Sequence, residues 1–166
     1  MSKSIFEYRL EVLLKEWDFA QGQIGQFDSI AMTIRGWAVS VFSAMLAAAI
    51  ALHNADLCLW TMMPIILFWL LDALFKSFQE LVIDRSRKIE DYLRSKEFAA
   101  DAASQMTFGF ETPQIAGLFQ ADNRERTAGL LRAALYANVS FFYGALLVTC
   151  IVLYYLLPSL MSADPS

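Results

Sequence analysis

Hydrophobic positions along this chain fall into long uncharged blocks that alternate with charge-rich stretches. The blocks are Gly36–Leu52, Leu57–Phe75 and Ala133–Leu157, with lengths of 17, 19 and 25 residues. The first and third contain no charged residue, and the second contains only Asp72. An α-helix needs about 20 apolar residues to cross the hydrocarbon core of a bilayer. The pattern therefore predicts three transmembrane helices.

The first two blocks predict a transmembrane hairpin over residues 28–76. Only His53–Asp56 separates them, so the two helices must run antiparallel. Arg35 can snorkel to the interface and lengthen the short first span. Pro64 removes one helical hydrogen bond, which predicts a kink in the second span.

The preceding segment, residues 1–27, has the pattern of an amphipathic helix. Ser4 and Glu7 fit a capping box at its start, and Gly22 and Gly25 predict a break before the hairpin. Its apolar residues recur every three or four positions and form one stripe: Phe6, Leu10, Leu13, Leu14, Trp17 and Ile24. Such a helix can lie on the membrane surface or pack on a partner helix.

Residues 77–132 predict a long cytoplasmic helix that continues from the second span, followed by a loop. The stretch from Ser77 to Asp101 lacks glycine and proline, and its mixed charges indicate a solvated helix with one packed face. Residues 104–121 contain two glycines and a proline and predict a loop that packs on the cytoplasmic helices; whether it binds a ligand stays open. The third span, residues 133–157, is closed by Pro158, and residues 158–166 form a short outer tail.

The distribution of charge predicts the orientation. None of the 13 Lys and Arg residues lies between Gly36 and Phe75, and none follows Arg132. Cytoplasmic loops of membrane proteins are enriched in these residues, so the N-terminus is predicted inside and the C-terminus outside. The polar N-terminus, far from the first apolar block, predicts no cleavable signal peptide. The expected protein is an all-α, multi-pass membrane protein with an N-terminal amphipathic helix.

Composition and motifs argue against several classes of function. Hydrophobic residues make up 57% and charged residues 18% of the chain, with a net charge of −4 and no basic patch, so no nucleic-acid partner is predicted. Cys58, Cys150 and His53 lack the spacing of a metal site, and no metal or cofactor is predicted. No nucleophile elbow, phosphate-binding loop or zinc-protease motif is present, so we expect a protein that is not an enzyme.

A few residues within the spans are candidates for function. An ionisable residue inside a membrane is by default a functional-site hypothesis, and Asp72 is the one here; the alternative is an interfacial pair with Lys76, four residues on. Small and polar residues in spans either pack against other helices or line a path. The candidate pore or helix-packing residues are Ser40, Ser43, Ala44, Ala47, Asp72 and Asn138. The candidate interface residues on the cytoplasmic helix are Arg85, Arg87, Lys88 and Glu90.

The segment EYRLEVLLKEW at Glu7–Trp17, the hairpin, and the segment FWLLDALFKSFQELVIDRSRKIEDYL at Phe68–Leu93 together resemble SLATT-like membrane effectors of bacterial anti-phage systems. The third span departs from a plain two-span module of that group. The resemblance implies a protein that is held inactive by a cytoplasmic sensor or regulatory signal. When triggered, it would form a homo-oligomer in membrane lipid and permeabilise the inner membrane.

Two hypotheses of function follow. The first is an oligomeric effector that permeabilises or depolarises the membrane, because one copy with three spans cannot enclose a water-filled path. The second is a non-catalytic accessory or scaffold subunit of a larger membrane complex. A transporter needs polar groups at the membrane midplane and usually internal repeats, and three spans with one off-centre carboxylate argue against it.

Overall fold

The computed structural model describes residues 3–114 and 123–162, and within them all regular secondary structure is helical. The helices in this part of the chain are α1 (Ile5–Ala51), α2 (Asp56–Leu93), α3 (Lys96–Ser104), α4 (Asn123–Ala134) and α5 (Ala137–Ser162). Helices α1, α2 and α5 are long and apolar enough to cross a membrane. The predicted all-α class with three such helices is confirmed.

Contacts divide the chain into two compact units. The apolar unit comprises Ser29–Ser77 and Thr127–Ser166, and the polar unit comprises Met1–Asp28 and Phe78–Arg126. Helices α1 and α2 each contribute one segment to both units, whereas α5 belongs to the apolar unit and α3 to the polar unit.

Helix α1 is continuous, so the predicted break at Gly22 and Gly25 is wrong. Neither glycine has a positive φ, and a Cβ added to either would meet nothing within 4 Å. A glycine inside a helix costs only about 1 kcal/mol relative to alanine. Packing of α1 on α2 within the polar unit, where Leu13 and Ile89 are fully buried, outweighs this cost.

The start of α1 is the capping box that the sequence predicts. The Ser4 hydroxyl accepts a hydrogen bond from the Glu7 amide at 3.1 Å, and the Glu7 carboxylate accepts one from the Ser4 amide at 3.0 Å. Two amides at the helix start, which have no partner within the helix, are thereby satisfied.

The turn between α1 and α2 ends the first helix in a Schellman motif. His53 adopts a left-handed conformation with φ 51°, and the Asn54 and His53 amides donate to the Ala49 and Ile50 carbonyls. The Asn54 side chain then accepts a hydrogen bond from the Asp56 amide at the start of α2. The short turn predicted here is confirmed.

The core of the apolar unit is built from α1, α2 and α5. Its buried residues are Ala38, Ile65, Val139, Tyr143 and Cys150, and a second cluster contains Ala49, Cys58 and Leu157. Both cysteines are free thiols that pack as small apolar residues.

The core of the polar unit joins α1, the second half of α2 and the loop after α3. Leu13, Ile89 and Tyr92 are buried there, and Phe108 and Phe110 of the loop pack against them. The described part of the predicted 104–121 loop therefore does pack on the helices, while residues 115–121 lie outside the described residues.

Three helix boundaries differ from the sequence expectation. Helix α2 ends at Leu93 rather than running on to Asp101, because the Ser95 side chain accepts a hydrogen bond from the Phe98 amide and caps a new helix, α3. The third long helix begins at Ala137, since α4 extends to Ala134. Pro158 does not close α5, because a proline removes a single hydrogen bond and the helix continues to Ser162. Residues 163–166 of the predicted tail lie outside the described residues.

Continuity of α1 predicts that Gly22→Ala and Gly25→Ala stabilise the protein. Each added methyl group enters open space and removes the entropic cost of a helical glycine, so we expect a gain of about 0.5–1 kcal/mol per site. Thermal unfolding in detergent, followed by circular dichroism, measures the change. Gly109→Ala is the contrasting variant, because its Cβ would come within 3.4 Å of the Asp101 carboxylate. A lowered midpoint for both helical variants would contradict a continuous α1.

Candidate functional site

Asp72 is buried in the apolar unit and forms an ion pair with α1. Its side chain is 1% exposed, and Oδ2 accepts a hydrogen bond from Arg35 Nε at 2.8 Å. The partner is thus Arg35, where the sequence had suggested Lys76. The Lys76 ammonium group lies over the Tyr136 ring, 5.7 Å from its centroid.

Sequence reasoning missed Arg35 as the partner, although a signal was present. Arg35 stands 17 residues before Leu52, and Asp72 stands 17 after Ala55, and these two residues begin and end the connection between α1 and α2 in the structure. Equal distances along two antiparallel helices bring two residues to the same level of the hairpin. The symmetry of opposite charges about the turn would have predicted the pair.

Aromatic side chains surround the ion pair. The Arg35 guanidinium group lies 5.8 Å from the centroid of the Phe142 ring, and the Tyr143 hydroxyl, on the same helix, faces the Asp72 carboxylate. Neither Asp72 Oδ1 nor the Tyr143 hydroxyl has a hydrogen-bond partner among the described residues. Tyr143 stacks on Trp69 with ring centroids 6.4 Å apart, so α1, α2 and α5 all contribute to this cluster.

The other candidates in the apolar unit are exposed and separate from Asp72. Ser40, Ser43, Ala44 and Ala47 all lie on the exposed side of α1, and Asn138 is exposed in the first turn of α5. Their side chains do not meet the buried carboxylate, so the structure does not gather the six predicted residues into one site.

The exposed residues of α1 form a face of small side chains that begins at Gly36. Residues 36, 40, 43 and 47 recur at intervals of four, three and four, which places them along one side of the helix. A Cβ added to Gly36 would meet nothing within 4 Å. Packing within one copy therefore does not require a small residue at this position. We call Gly36, Ser40, Ser43, Ala44 and Ala47 the small-residue face.

In the polar unit, Arg85 is buried, which corrects its assignment as an interface residue. Arg85 Nε donates to Glu16 Oε1 at 2.9 Å, and the two side chains are 6% and 1% exposed. A second nitrogen donates to the Glu111 carbonyl at 2.7 Å, and the guanidinium group lies 4.6 Å from the centroid of the Phe110 ring. Arg85 thus binds α1 and the loop after α3, and it is not available to a partner.

The other three interface candidates are accessible to different degrees. Arg87 and Lys88 are exposed, and Arg87 forms a surface ion pair with Asp84 at 3.3 Å. Glu90 is half-buried and accepts a hydrogen bond from the Trp17 indole N–H. Only Arg87 and Lys88 present their charge to solvent as the sequence had suggested.

Glu16 holds the loop against the helices. Its carboxylate accepts hydrogen bonds from Arg85, from the Thr112 hydroxyl and from the Gln114 amide, the last at 3.2 Å. Burial acts to raise the pKa of Glu16, but these hydrogen bonds and the charge of Arg85 hold it below its ordinary value of 4.5.

Asp101 holds the same loop at a second point. It accepts hydrogen bonds from the Gly109 amide at 2.7 Å, the Tyr92 hydroxyl at 2.7 Å and the Thr107 hydroxyl at 2.8 Å. The Gly109 amide above all, then Tyr92 and Thr107, hold the pKa of Asp101 below its ordinary value of 3.8. The chemistry of both carboxylates in this unit is therefore structural.

No group of three or more His, Cys, Asp or Glu residues in the described ranges is placed to hold a metal ion. Comparison of the chain with protein-family models, with curated proteins and with solved structures finds no match. The candidate features are thus the small-residue face, the buried Arg35–Asp72 pair and the loop held by Glu16 and Asp101.

The burial of Arg85 predicts that Arg85→Met and Arg87→Met differ sharply in stability. Removing Arg85 leaves the Glu16 charge buried without its cation, so we expect a loss of about 3–5 kcal/mol. Arg87→Met removes only a surface pair and should change stability by less than about 0.5 kcal/mol. Thermal unfolding of the two purified variants in detergent makes the comparison. Equal effects would contradict the internal role of Arg85.

Acid should release the loop from the polar unit. The pKa of Glu16 and of Asp101 is lower in the folded protein than in the unfolded chain. The stabilisation that the two ionised carboxylates give to the folded loop is therefore complete above pH 4.5 and pH 3.8, their ordinary pKa values. It is lost as the pH falls below these values and through the folded ones. Hydrogen-exchange protection of residues 105–114 should therefore drop between pH 6 and pH 3, beyond the intrinsic change in exchange rate. Glu16→Gln should already show reduced protection at pH 6, whereas a pH-independent protection factor would contradict the mechanism.

Proposed function

We propose that this chain is a membrane-embedded effector, held inactive until a signal arrives, that oligomerises and permeabilises or depolarises a bacterial inner membrane in anti-phage defence. Helices α1, α2 and α5 are its three spans, with the N-terminus in the cytoplasm and the C-terminus outside. The distribution of Lys and Arg supports this orientation.

The observation that carries the proposal is the small-residue face of α1. In lipid, small residues permit close helix–helix contact, and helices associate through such faces. The face is exposed in a single copy, and Gly36 has open space around its Cα. A second copy of the chain would pack on this face, because close backbone contact at Gly36 requires another helix.

The number of spans supports an oligomer as the active form. Three helices in one copy pack around a core of Ala38, Ile65, Val139, Tyr143 and Cys150. That core is filled by side chains, so any path for ions has to form between copies. The small hydroxyls of Ser40 and Ser43 lie on the face along which copies would meet.

The alternative function is a non-catalytic accessory or scaffold subunit of a larger membrane complex. The specific observation in its favour is the exposed charge of Arg87 and Lys88 on α2, together with exposed apolar side chains in the polar unit. Ile5, Tyr8 and Phe19 of α1 are each at least half exposed. In the effector, the same surface would receive the regulatory protein.

Expression in a bacterium, with growth and a membrane-potential dye followed together, tests the effector. We expect the wild-type protein to depolarise the membrane at high expression or during phage challenge, and Ala47→Lys to abolish depolarisation because a charge in the contact face blocks association. Ala145→Lys, at an exposed alanine of α5, is the matched control. The variants Ala47→Leu and Ala145→Leu carry no added charge, so neither should impair membrane insertion. Only Ala47→Leu places a larger side chain in the contact face, so only Ala47→Leu should lose activity.

A held potential and normal growth at high expression, also during phage challenge, would contradict the effector. Co-purification of a defined membrane partner by the silent protein would then favour the scaffold. Equal loss of activity in Ala47→Leu and Ala145→Leu would contradict the small-residue face as the site of association.

A further inference from the structure

Three helices of the apolar unit meet at one buried polar cluster. Arg35 comes from α1, Asp72 from α2 and Tyr143 from α5. Asp72 is 1% exposed and Tyr143 0%, while the Arg35 side chain, at 21%, retains some contact with the surroundings. A buried charge pair in an apolar bundle is costly to form and costly to break, so it favours one arrangement of the helices that carry it.

The cluster is only partly satisfied. Asp72 Oδ2 is bonded to Arg35, but Asp72 Oδ1 and the Tyr143 hydroxyl, although Tyr143 and Asp72 interact electrostatically, form no hydrogen bond of ordinary geometry among the described residues. A half-satisfied buried network stabilises its arrangement less than a complete one. The arrangement can therefore give way to another in which these groups find partners.

Displacement of Tyr143 would reach further than its own helix. Its ring stacks on Trp69 with an interplanar angle of 13°, and the Trp69 indole N–H donates to the Ala134 carbonyl at 3.1 Å. Ala134 is the last residue of α4, next to the junction with α5. The cluster thus connects the α1 segment that carries the small-residue face with the junction that leads into α5.

We propose that the Arg35–Asp72 pair, with Tyr143, is a latch that holds α1, α2 and α5 in the resting arrangement, and that its opening precedes assembly. This inference rests on the proposed function for its consequence, but the latch itself is a property of the single copy. Asp72 is then a positioning residue that sets the threshold for assembly, and it does not line the path.

The functional test compares charge-removing variants with a charge-reversed double variant. Asp72→Asn and Arg35→Gln should each depolarise cells at protein levels about tenfold lower than wild type, because one broken partner destabilises the resting arrangement. Arg35→Asp combined with Asp72→Arg should return the threshold toward wild type. Tyr143→Phe keeps the ring on Trp69 and removes only a buried hydroxyl that has no partner, so it should not lower the threshold. Asp56→Asn, which removes an exposed carboxylate at the start of the same helix, is the matched control and should leave the threshold unchanged.

A second experiment detects opening of the latch by Trp69 fluorescence in detergent, so it does not depend on a membrane potential. The fluorescence of Trp69 is obtained by subtracting the spectrum of each protein carrying Trp69→Phe from that of its parent, in detergent-solubilised monomers. We expect acrylamide to quench Trp69 about twofold more strongly in Asp72→Asn and Arg35→Gln than in wild type, since Tyr143 no longer holds its place on the ring. The charge-reversed protein should restore the wild-type value.

The two readouts separate failure of the latch from failure of the proposed function. Unchanged Trp69 quenching in both single variants would overturn the latch, whatever the cells do. A charge-reversed protein that behaves like the single variants in quenching would also overturn it. Altered quenching in a protein that never depolarises a membrane would support the latch and count against the effector.

Discussion

The ion pair between Arg35 and Asp72 sets the register of the apolar unit. A carboxylate that is 1% exposed needs a cation or several hydrogen-bond donors nearby. The pair therefore requires a packing of α1 on α2 that places Arg35 Nε 2.8 Å from Asp72 Oδ2. The turn supplies that arrangement, because the left-handed His53 and the Asn54 cap reverse the chain within a few residues. Apolar packing of Ile65 and Val139 is less directional, so the pair selects among the packings that the apolar residues allow.

The polar unit uses the same kind of interaction for a different purpose. Glu16 and Arg85 again join α1 to α2, but here the pair also binds a loop through the Glu111 carbonyl and the Thr112 hydroxyl. The donors to Glu16, which are Arg85, Thr112 and Gln114, each also fix the position of the chain. Both oxygens of the buried Glu16 carboxylate thus accept hydrogen bonds, whereas Oδ1 of the buried Asp72 carboxylate has no hydrogen-bond partner among the described residues.

Much of the fold could be predicted from the sequence, because long uncharged blocks and a short polar turn leave few alternatives. The capping box at Ser4 is a local feature, and it forms as the local pattern predicts. The break at Gly22 was predicted wrongly because the cost of a helical glycine is small and is offset by contacts distant in sequence. The end of α2 was missed for a related reason, since a serine that caps a helix is visible only once the next helix is known.

The candidate site was less predictable, because residue type does not reveal which side of a helix is covered. Alternating charges around Arg85 look the same for a solvated face and for a buried pair, and the distinction depends on a loop that arrives from elsewhere in the chain. The small residues of α1 share one exposed side of the helix, but a sequence cannot tell whether such a face is covered by the chain's own helices.

The exposure of that face and the burial of Asp72 are complementary facts about α1. Within the apolar unit, α1 directs its one cation, Arg35, to Asp72, while its small residues Gly36, Ser40, Ser43, Ala44 and Ala47 lie on the exposed side. The electrostatic partner of this helix segment thus lies within the copy, whereas its small side chains are left uncovered. Because Gly36 directly follows Arg35, any rotation of α1 about its axis would move the ion pair and the small-residue face together, so the contact with Asp72 constrains which side of α1 stays exposed.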